Sequence, residues 1–497
     1  MKRSFALLTL SALGLASCNS ASAEEAGMGM RDSDRMIHQE VVSASLYGEP
    51  DGEFDSALSD EPDDFEDEAS PSSERLADEP AVLEPLAEAE AAVELEAEPE
   101  PIARRIARQK LTIFAKPTDS APIRGRIPTA AAFDVFGYVD GPGCDGELGW
   151  ADLGHHGFAC MDDTRNGEGA IAYAQPKMRA ELTPFYYAKV KVGHDAPRYR
   201  NLRALNAGAD PIDTLKEGVD YAFVVRRRSK GQLVLIDDQR RVVREQDVRR
   251  FRPSRFEGRD LEAEPVPEGK VLAWVSNWPK APAYSRASTS SELATNVTYH
   301  DQLLVEPADT DGWYKLDDGS FISTDDVRVF STPTDRPDGV TEGEIWVDID
   351  LEQQVLSVML GDAAIYTTLV SSGLKSPTPR GLFRIHNKRA VGSMSSAPGA
   401  DDFYSVQAVP HVQYFLGSFA LHSAYWHDGF GRPISHGCVN LSPKDAKHVF
   451  SLTTPSLPMG WLHGYESTEH LGTTIRVRMG DAPVRDRRGE VEPIFGR

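Results

Sequence analysis

Between Glu49 and Glu100 the sequence carries 21 acidic residues and a single basic one, Arg75. A stretch so charged, and so poor in aromatic residues, cannot bury enough apolar surface to offset the entropy of ordering its backbone. Like-charge repulsion keeps such a chain extended. Residues 18–107 are therefore expected to form a disordered acidic tether, with the folded part C-terminal to it. The block supplies −20 of the formal −24 charge of the 497-residue chain, leaving about −4 for the rest. No basic surplus remains to meet a polyanion, which argues against nucleic acid as a partner. The chain is long enough for two to four domains.

The N-terminus has its own signature. Lys2 and Arg3 precede a short apolar run, Phe5 to Ala16. The run is too short to span a bilayer comfortably and reads as a secretory signal over residues 1–17. Leu15-Ala16-Ser17-Cys18 resembles the bacterial lipobox, in which a small residue precedes a cysteine. That resemblance implies cleavage before Cys18 and its diacylation, and more than one acyl chain gives stable anchoring. The plainer alternative is a secretory signal with a chance cysteine. Asn19 in the next position leans, by analogy, toward the outer membrane. The expected location is the cell envelope, lipid-anchored at a membrane and facing the periplasm.

Cysteine accounting follows from that location. Cys144 and Cys160 lie 16 residues apart in a Gly-rich segment. An exported chain meets an oxidising compartment, so this pair is expected to form a disulfide. Cys438 is left without a partner, a liability unless the thiol has a task.

The remainder reads as mainly β. Short runs such as Leu111 to Phe114 and Phe133 to Val139 are punctuated by Pro, Gly and Asp. Residues 108–175 and 263–333 resemble bacterial SH3-like modules, through Gly149-Trp150 with Gly157 to Cys160 and through Trp313-Tyr314 with Asp318 to Ile322. Residues 176–262 form a β module of uncertain type. Such modules either bind wall peptides or space a catalytic domain. A Pro-rich linker, Ser331 to Gly339, precedes a last domain at 340–481, and residues 482–497 form a tail. In that domain Ile345, Val347 and Ile349 alternate with polar neighbours. Ser442-Pro443-Lys444-Asp445 reads as the N-cap and first turn of one short helix.

Reactive groups concentrate between His422 and Asn440. Three histidines (His422, His427, His436) and Cys438 fall within 17 residues, among Gly429, Gly431 and Gly437. Nucleophilic cysteine chemistry needs a thiolate, a base to make it, and donors for the oxyanion. A Gly before the Cys allows backbone N–H groups to converge there. Zinc binding is the weaker reading, because the spacing lacks paired ligands two to four residues apart. His427 reads as a surface loop residue, and His411 and Trp426 as packing residues.

The segment His422-Ser423 through Ser435-His436-Gly437-Cys438-Val439-Asn440 resembles the signature of the YkuD-type L,D-transpeptidases. Ser371-Ser372-Gly373 and Thr378-Pro379-Arg380-Gly381-Leu382-Phe383 resemble further elements of that family, as do Trp346-Val347-Asp348, Gln353 and Gln354. The resemblance implies a C-terminal β-rich catalytic domain with Cys438 as nucleophile and His422 as general base. It implies the Ser423 backbone carbonyl as third member, with Ser435, His436 and Gly437 lining the pocket and Asn440 ordering the loop. The implied substrates are peptidoglycan stem peptides, a tetrapeptide donor and an amine acceptor, joined through a thioester into 3–3 cross-links or other amine adducts. No metal or cofactor is implied, and a monomer is expected. Two rivals stay open: an L,D-carboxypeptidase or cross-link hydrolase on the same fold, and a non-catalytic wall-binding lipoprotein.

Overall fold

The computed structural model describes residues 100–167, 182–374, 377–396, 403–458, 460–468 and 470–489. The signal segment, Cys18 and nearly all of the acidic stretch lie outside the described residues. Order starts earlier than the boundary at 107. Ala103–Ala107 is already a strand, paired with Ala132–Val135 and Thr164–Asn166. The physical reason is local: Ile102 to Ala107 departs from the acidic composition, and Ile106 and Ala107 are buried.

The first module is built from short antiparallel strands around Ile113, Ile127, Val135 and Ala159, all buried. A disulfide joins Cys144 to Cys160, with Cα atoms 5.5 Å apart. The core is shared with the C-terminal domain, because Trp461 packs into it. Its Ile123–Ile127 strand pairs with His463–Tyr465, placing Gly125 opposite Gly464. A side chain at Gly125 would meet the Trp461 ring at 2.5 Å, so only glycine permits this approach.

The middle module joins the C-terminal domain as well. Its Val219–Phe223 strand pairs antiparallel with Tyr186–Val190 and parallel with Ser405–Leu416. A one-turn helix, Leu202–Asn206, is capped by the Asn201 side chain, which accepts from Ala204 N–H at 2.9 Å. The third module places Val271–Val275 between Gln302–Pro307 and Val327–Val329.

Strands of the C-terminal domain are labelled β1 Ile345–Asp350, β2 Val355–Leu360, β3 Ala363–Leu369, β4 Gly381–Arg384, β5 Asn387–Ser395, β6 Ser405–Leu416, β7 Phe419–Ser423, β8 Val439–Leu441, β9 His463–Tyr465 and β10 Thr474–Arg478. Helix α1 is Pro443–Leu452. One sheet runs β3-β2-β1-β10-β4, with β10 parallel to β1. The second carries the β5–β6 hairpin, then β7, then β8 parallel to β7. The inward residues of both sheets close on α1: Val347, Leu356 and Val477 from one, Phe415, Leu421 and Val439 from the other, with Ala446 and Val449 of the helix.

Two buried ionisable groups fix α1. Ser442 caps its start by accepting from Asp445 N–H at 3.2 Å. The Asp445 carboxylate is buried and accepts from Tyr366 Oη at 2.7 Å, Gly258 N–H at 2.9 Å and the Thr368 hydroxyl. Burial raises its pKa to about 6 against those bonds. At the other end Lys388 Nζ donates to the carbonyls of Phe450 and Thr453, at 2.6 and 2.8 Å. Burial lowers the pKa of the Lys388 ammonium to about 7, and in its protonated form it answers the unpaired carbonyls and negative end of the helix.

Candidate active site

Cys438 leads directly into β8, and His422 lies on β7, the strand beside it. Their pairing is parallel: Leu421 faces Val439, His422 faces Asn440 and Ser423 faces Leu441. Sheet register thus brings the 16-residue-distant ends of the reactive segment side by side. His422 is buried, with Nδ1 3.1 Å from the Ser423 carbonyl. A carbonyl can only accept, so Nδ1 carries the proton and the Nε2 lone pair is left free. Burial holds the imidazole neutral, pulling its pKa to about 4 against the contribution of the Ser423 carbonyl.

Cys438 is half-buried, and its thiol faces the Ser418 carbonyl at 3.6 Å. Burial pushes its pKa up to about 11, opposed by a hydrogen bond with the Ala420 backbone. Burial thus favours the uncharged form of each group, a thiol at Cys438 and a neutral imidazole at His422.

The turn before Cys438 is braced from several sides. Ser435 Oγ donates to the Cys438 carbonyl at 2.5 Å and accepts from Gly437 N–H at 3.0 Å. The Gly437 N–H is thus engaged by the Ser435 hydroxyl. Gly437 has φ +128°, a conformation that excludes other side chains. Thr378 Oγ1 donates to the Gly437 carbonyl at 2.8 Å and accepts from Gly373 N–H at 3.0 Å. Ser372 accepts from Ile434 and Ser435 N–H at its carbonyl, and its own N–H donates to Gln354 Oε1 at 2.8 Å. The Ser-x-Gly and Thr-Pro elements noted in the sequence are the scaffold of the cysteine turn.

Ser423 contributes its carbonyl alone, since its hydroxyl is buried with no hydrogen-bond partner among the described residues. Asn440 is buried and bridges outward. Its backbone exchanges hydrogen bonds with Ser371 at 2.9 Å each way, and its side-chain Nδ2 lies 2.8 Å from His427 Nε2. His427 Nδ1 accepts from Gly429 N–H at 3.1 Å, so Nε2 carries the proton and the amide oxygen is the chemically matching partner. His427 is therefore no surface bystander. Burial, then His422, lowers its pKa to about 4.

His436 is exposed and stacks on Tyr404, with centroids 4.8 Å apart. Cys438 packs with Tyr404, Tyr414, Met394 and Trp426 around one cluster. The Trp426 ring lies 5.7 Å from that of His422. Sequence reasoning missed Tyr404 and Met394, because they arrive on the β5–β6 hairpin and carry no local motif.

Residues 344–477 match the family described as L,D-transpeptidase catalytic domain. A putative L,D-transpeptidase of Bacillus subtilis is 28% identical over 125 residues, covering 22% of this chain. The chain spans 62% of the length of that curated relative. An L,D-transpeptidase structure from Mycobacterium smegmatis is similar at 22% identity, covering 35% of this chain and 81% of that one, with a TM-score of 0.23. The catalytic domain of an E. faecium L,D-transpeptidase is similar at 21% identity, covering 27% of this chain and 98% of that one, with a TM-score of 0.22. The C-terminal domain of this chain belongs to the YkuD family of L,D-transpeptidase catalytic domains.

Proposed function

We propose that the chain is a cysteine-dependent acyltransferase that acts on peptidoglycan stem peptides through a thioester on Cys438. The observation that carries this reading is His422: neutral, oriented by the Ser423 carbonyl, with a free Nε2 lone pair on the strand beside the cysteine. Because the resting thiol holds its proton tightly, a base must take it at the moment of attack.

In the first half-reaction Cys438 gives its proton to His422 Nε2 while sulfur bonds to a carbonyl carbon. That carbonyl joins the diamino acid at stem position three to the terminal D-alanine. Backbone N–H groups of the 436–438 turn, other than that of Gly437, would meet the oxyanion. The C–N bond breaks, the imidazolium returns the proton to the leaving nitrogen, and D-alanine departs. In the second half-reaction an acceptor amine loses a proton to His422 and attacks the thioester. The C–S bond breaks and the thiolate regains the proton. Water in place of the amine would make the same site a hydrolase.

Purified protein incubated with a disaccharide tetrapeptide should gain an acyl adduct on Cys438 and release D-alanine. Neither should occur with Cys438→Ala. D-alanine release by that variant at the wild-type rate would end the proposal. We further propose that Cys18 carries a lipid that holds the protein at a membrane, facing the periplasm. A Cys18→Ala protein that is processed and fractionates with membranes as before would refute the anchor.

A further inference from the structure

Two tyrosines, one from the middle module and one from the C-terminal domain, hold adjacent carbonyls of β6. Tyr187 of the middle module donates its phenolic hydroxyl to the Ala408 carbonyl at 2.6 Å. Tyr425, in the loop after β7, donates its own to the Gln407 carbonyl at 3.0 Å. The two buried rings are stacked, with centroids 3.5 Å apart and planes 12° from parallel. Phe251 of the middle module meets the Tyr425 ring edge-on at 5.6 Å.

Gln407 and Ala408 form a bulge. Gly392 of β5 faces Val409 and Met394 faces Val406, so these two residues of β6 oppose Ser393 alone. Ala408 takes φ +50°, the left-handed region that a non-glycine residue enters only at a cost. Such a conformation persists where the surroundings over-determine it, and a bulge bends its strand and re-aims the side chains beyond it. Within the domain, Ser393 Oγ accepts from Ala408 N–H at 3.4 Å. The middle module supplies more. Its Val219–Phe223 strand pairs with β6 as far as Asp220 opposite Val406, and the Ala222 N–H then donates to Gln407 Oε1 at 3.4 Å.

Beyond the bulge lies the cover of the nucleophile. Tyr404 stacks on His436, and Tyr404 and Met394 pack in the cluster that holds Cys438. On the other side of the tyrosine pair, Trp426 meets Tyr425 edge-on at 4.9 Å and lies 5.7 Å from the His422 ring. His422 is thus reached from the stack through Trp426, and Cys438 through the bulged strand.

We propose that Tyr187 is a positioning residue for the reaction at Cys438: through the Ala408 carbonyl it fixes the bulge that sets Tyr404 and Met394 over the thiol. The middle module is then part of the active site and not a spacer. The effect on acyl transfer rests on the reading above, whereas control of the cover over Cys438 does not.

The test compares the full chain with Tyr187→Phe, which keeps the ring and removes only the hydroxyl. Single-turnover acylation by a disaccharide tetrapeptide should have a maximum rate about tenfold lower, the equivalent of one lost hydrogen bond, with the half-saturating concentration little changed. Iodoacetamide should alkylate Cys438 several-fold faster, read by mass spectrometry, because the cover loosens. A wild-type value of either readout in Tyr187→Phe overturns the proposal. Ala408→Gly supplies a second arm, since glycine takes a positive φ at no cost and needs no hydroxyl to hold it there. In that background Tyr187→Phe should slow acylation by no more than about threefold, and an undiminished tenfold loss overturns the bulge as the route. Should Tyr187→Phe fail to fold, Tyr425→Phe, which releases the neighbouring carbonyl of the same bulge, decides by the same readouts. If the wild-type chain forms no acyl adduct while alkylation responds to Tyr187→Phe as expected, the transfer reading falls and the positioning role stands.

Discussion

Tyr299 of the third module donates its phenolic hydroxyl to the backbone carbonyl of Phe430, 2.9 Å away and 131 residues on. Phe430 belongs to the loop between His422 and Cys438. The same module supplies Arg328, whose Nε donates to the Gly431 carbonyl at 3.0 Å, and His300, whose Nε2 lies 3.2 Å from the Phe430 carbonyl. Arg432 of the loop sits over the Tyr299 ring. The module thus holds the outer side of the loop on which His427 sits.

Tyr299→Phe should therefore cost about 1 kcal/mol of stability, the usual net worth of one hydrogen bond. His300 still faces the carbonyl and limits the loss. Acylation of Cys438 should slow several-fold. Denaturant unfolding and a single-turnover acylation assay would check both. Wild-type values in both would show that the third module merely touches the loop.

His422→Ala should slow acylation by roughly 10²–10⁴-fold, the range for general-base assistance. His427→Ala should slow it by about tenfold, because a broken hydrogen bond near the nucleophile corresponds to roughly 1.4 kcal/mol of barrier. That expectation departs from a surface-loop role and rests on the contacts of His427 with Asn440 and Gly429. Equal effects of the two substitutions would mean that the base is misassigned.

Stability should fall with acid. Burial, the first cause for each, lowers His156 and His411 to about 3 and His386, His422 and His427 to about 4. In the unfolded chain each takes a proton near 6.5. The unfolded state therefore binds more protons below that value. Stability is full above about pH 6.5 and is lost as pH falls toward 4. Asp445 acts in the opposite sense: its folded pKa is raised to about 6, so its contribution grows as pH falls through that value. Asp220, raised to about 6 by burial, and Glu466, raised by burial, act with Asp445, while burial lowers His300, His448 and His463 as it does the other five; three carboxyls thus oppose eight imidazoles among the described residues, and the net trend is downward. Thermal melts at pH 7.5, 5.5 and 4.5 should show a steady decline, and a flat profile would contradict it.

What the sequence disclosed was whatever is short-range. Ser442 and Pro443 announce α1 because capping is decided within four residues. Cys438, His422 and Ser435 stand out because their spacing is fixed by a single loop between two adjacent strands. Tyr404, Tyr299 and Lys388 were not legible. Each acts through a contact set by sheet pairing or module docking, and an isolated Tyr or Lys looks the same whether exposed or buried. Gly125 was invisible for the same reason, since its requirement comes from Trp461, more than 300 residues away. The N-terminal edge of the first module was set late because an acidic neighbourhood masked the apolar Ile106 and Ala107.

Thr378 offers the sharpest test of how the cysteine turn is held. It is buried, and its one hydroxyl serves two backbones, accepting from Gly373 N–H at 3.0 Å and donating to the Gly437 carbonyl at 2.8 Å. Gly437 adopts a positive φ that only glycine reaches without strain, so the turn relies on its hydrogen bonds to hold one conformation. Thr378→Val keeps shape and volume but leaves that N–H and that carbonyl buried and unpaired. Such orphaned groups cost about 1–3 kcal/mol, and the turn can recover part of this by shifting toward other partners. The shift would move Cys438, which follows Gly437 directly. Thr378→Val should then slow acylation about tenfold or more, with the apparent affinity for the tetrapeptide little changed. Thr378→Ser retains the hydroxyl and should restore the rate to within a few-fold of wild type. If Val and Ser behave alike, packing rather than the hydroxyl positions the turn, and the bracing role assigned to Thr378 is wrong.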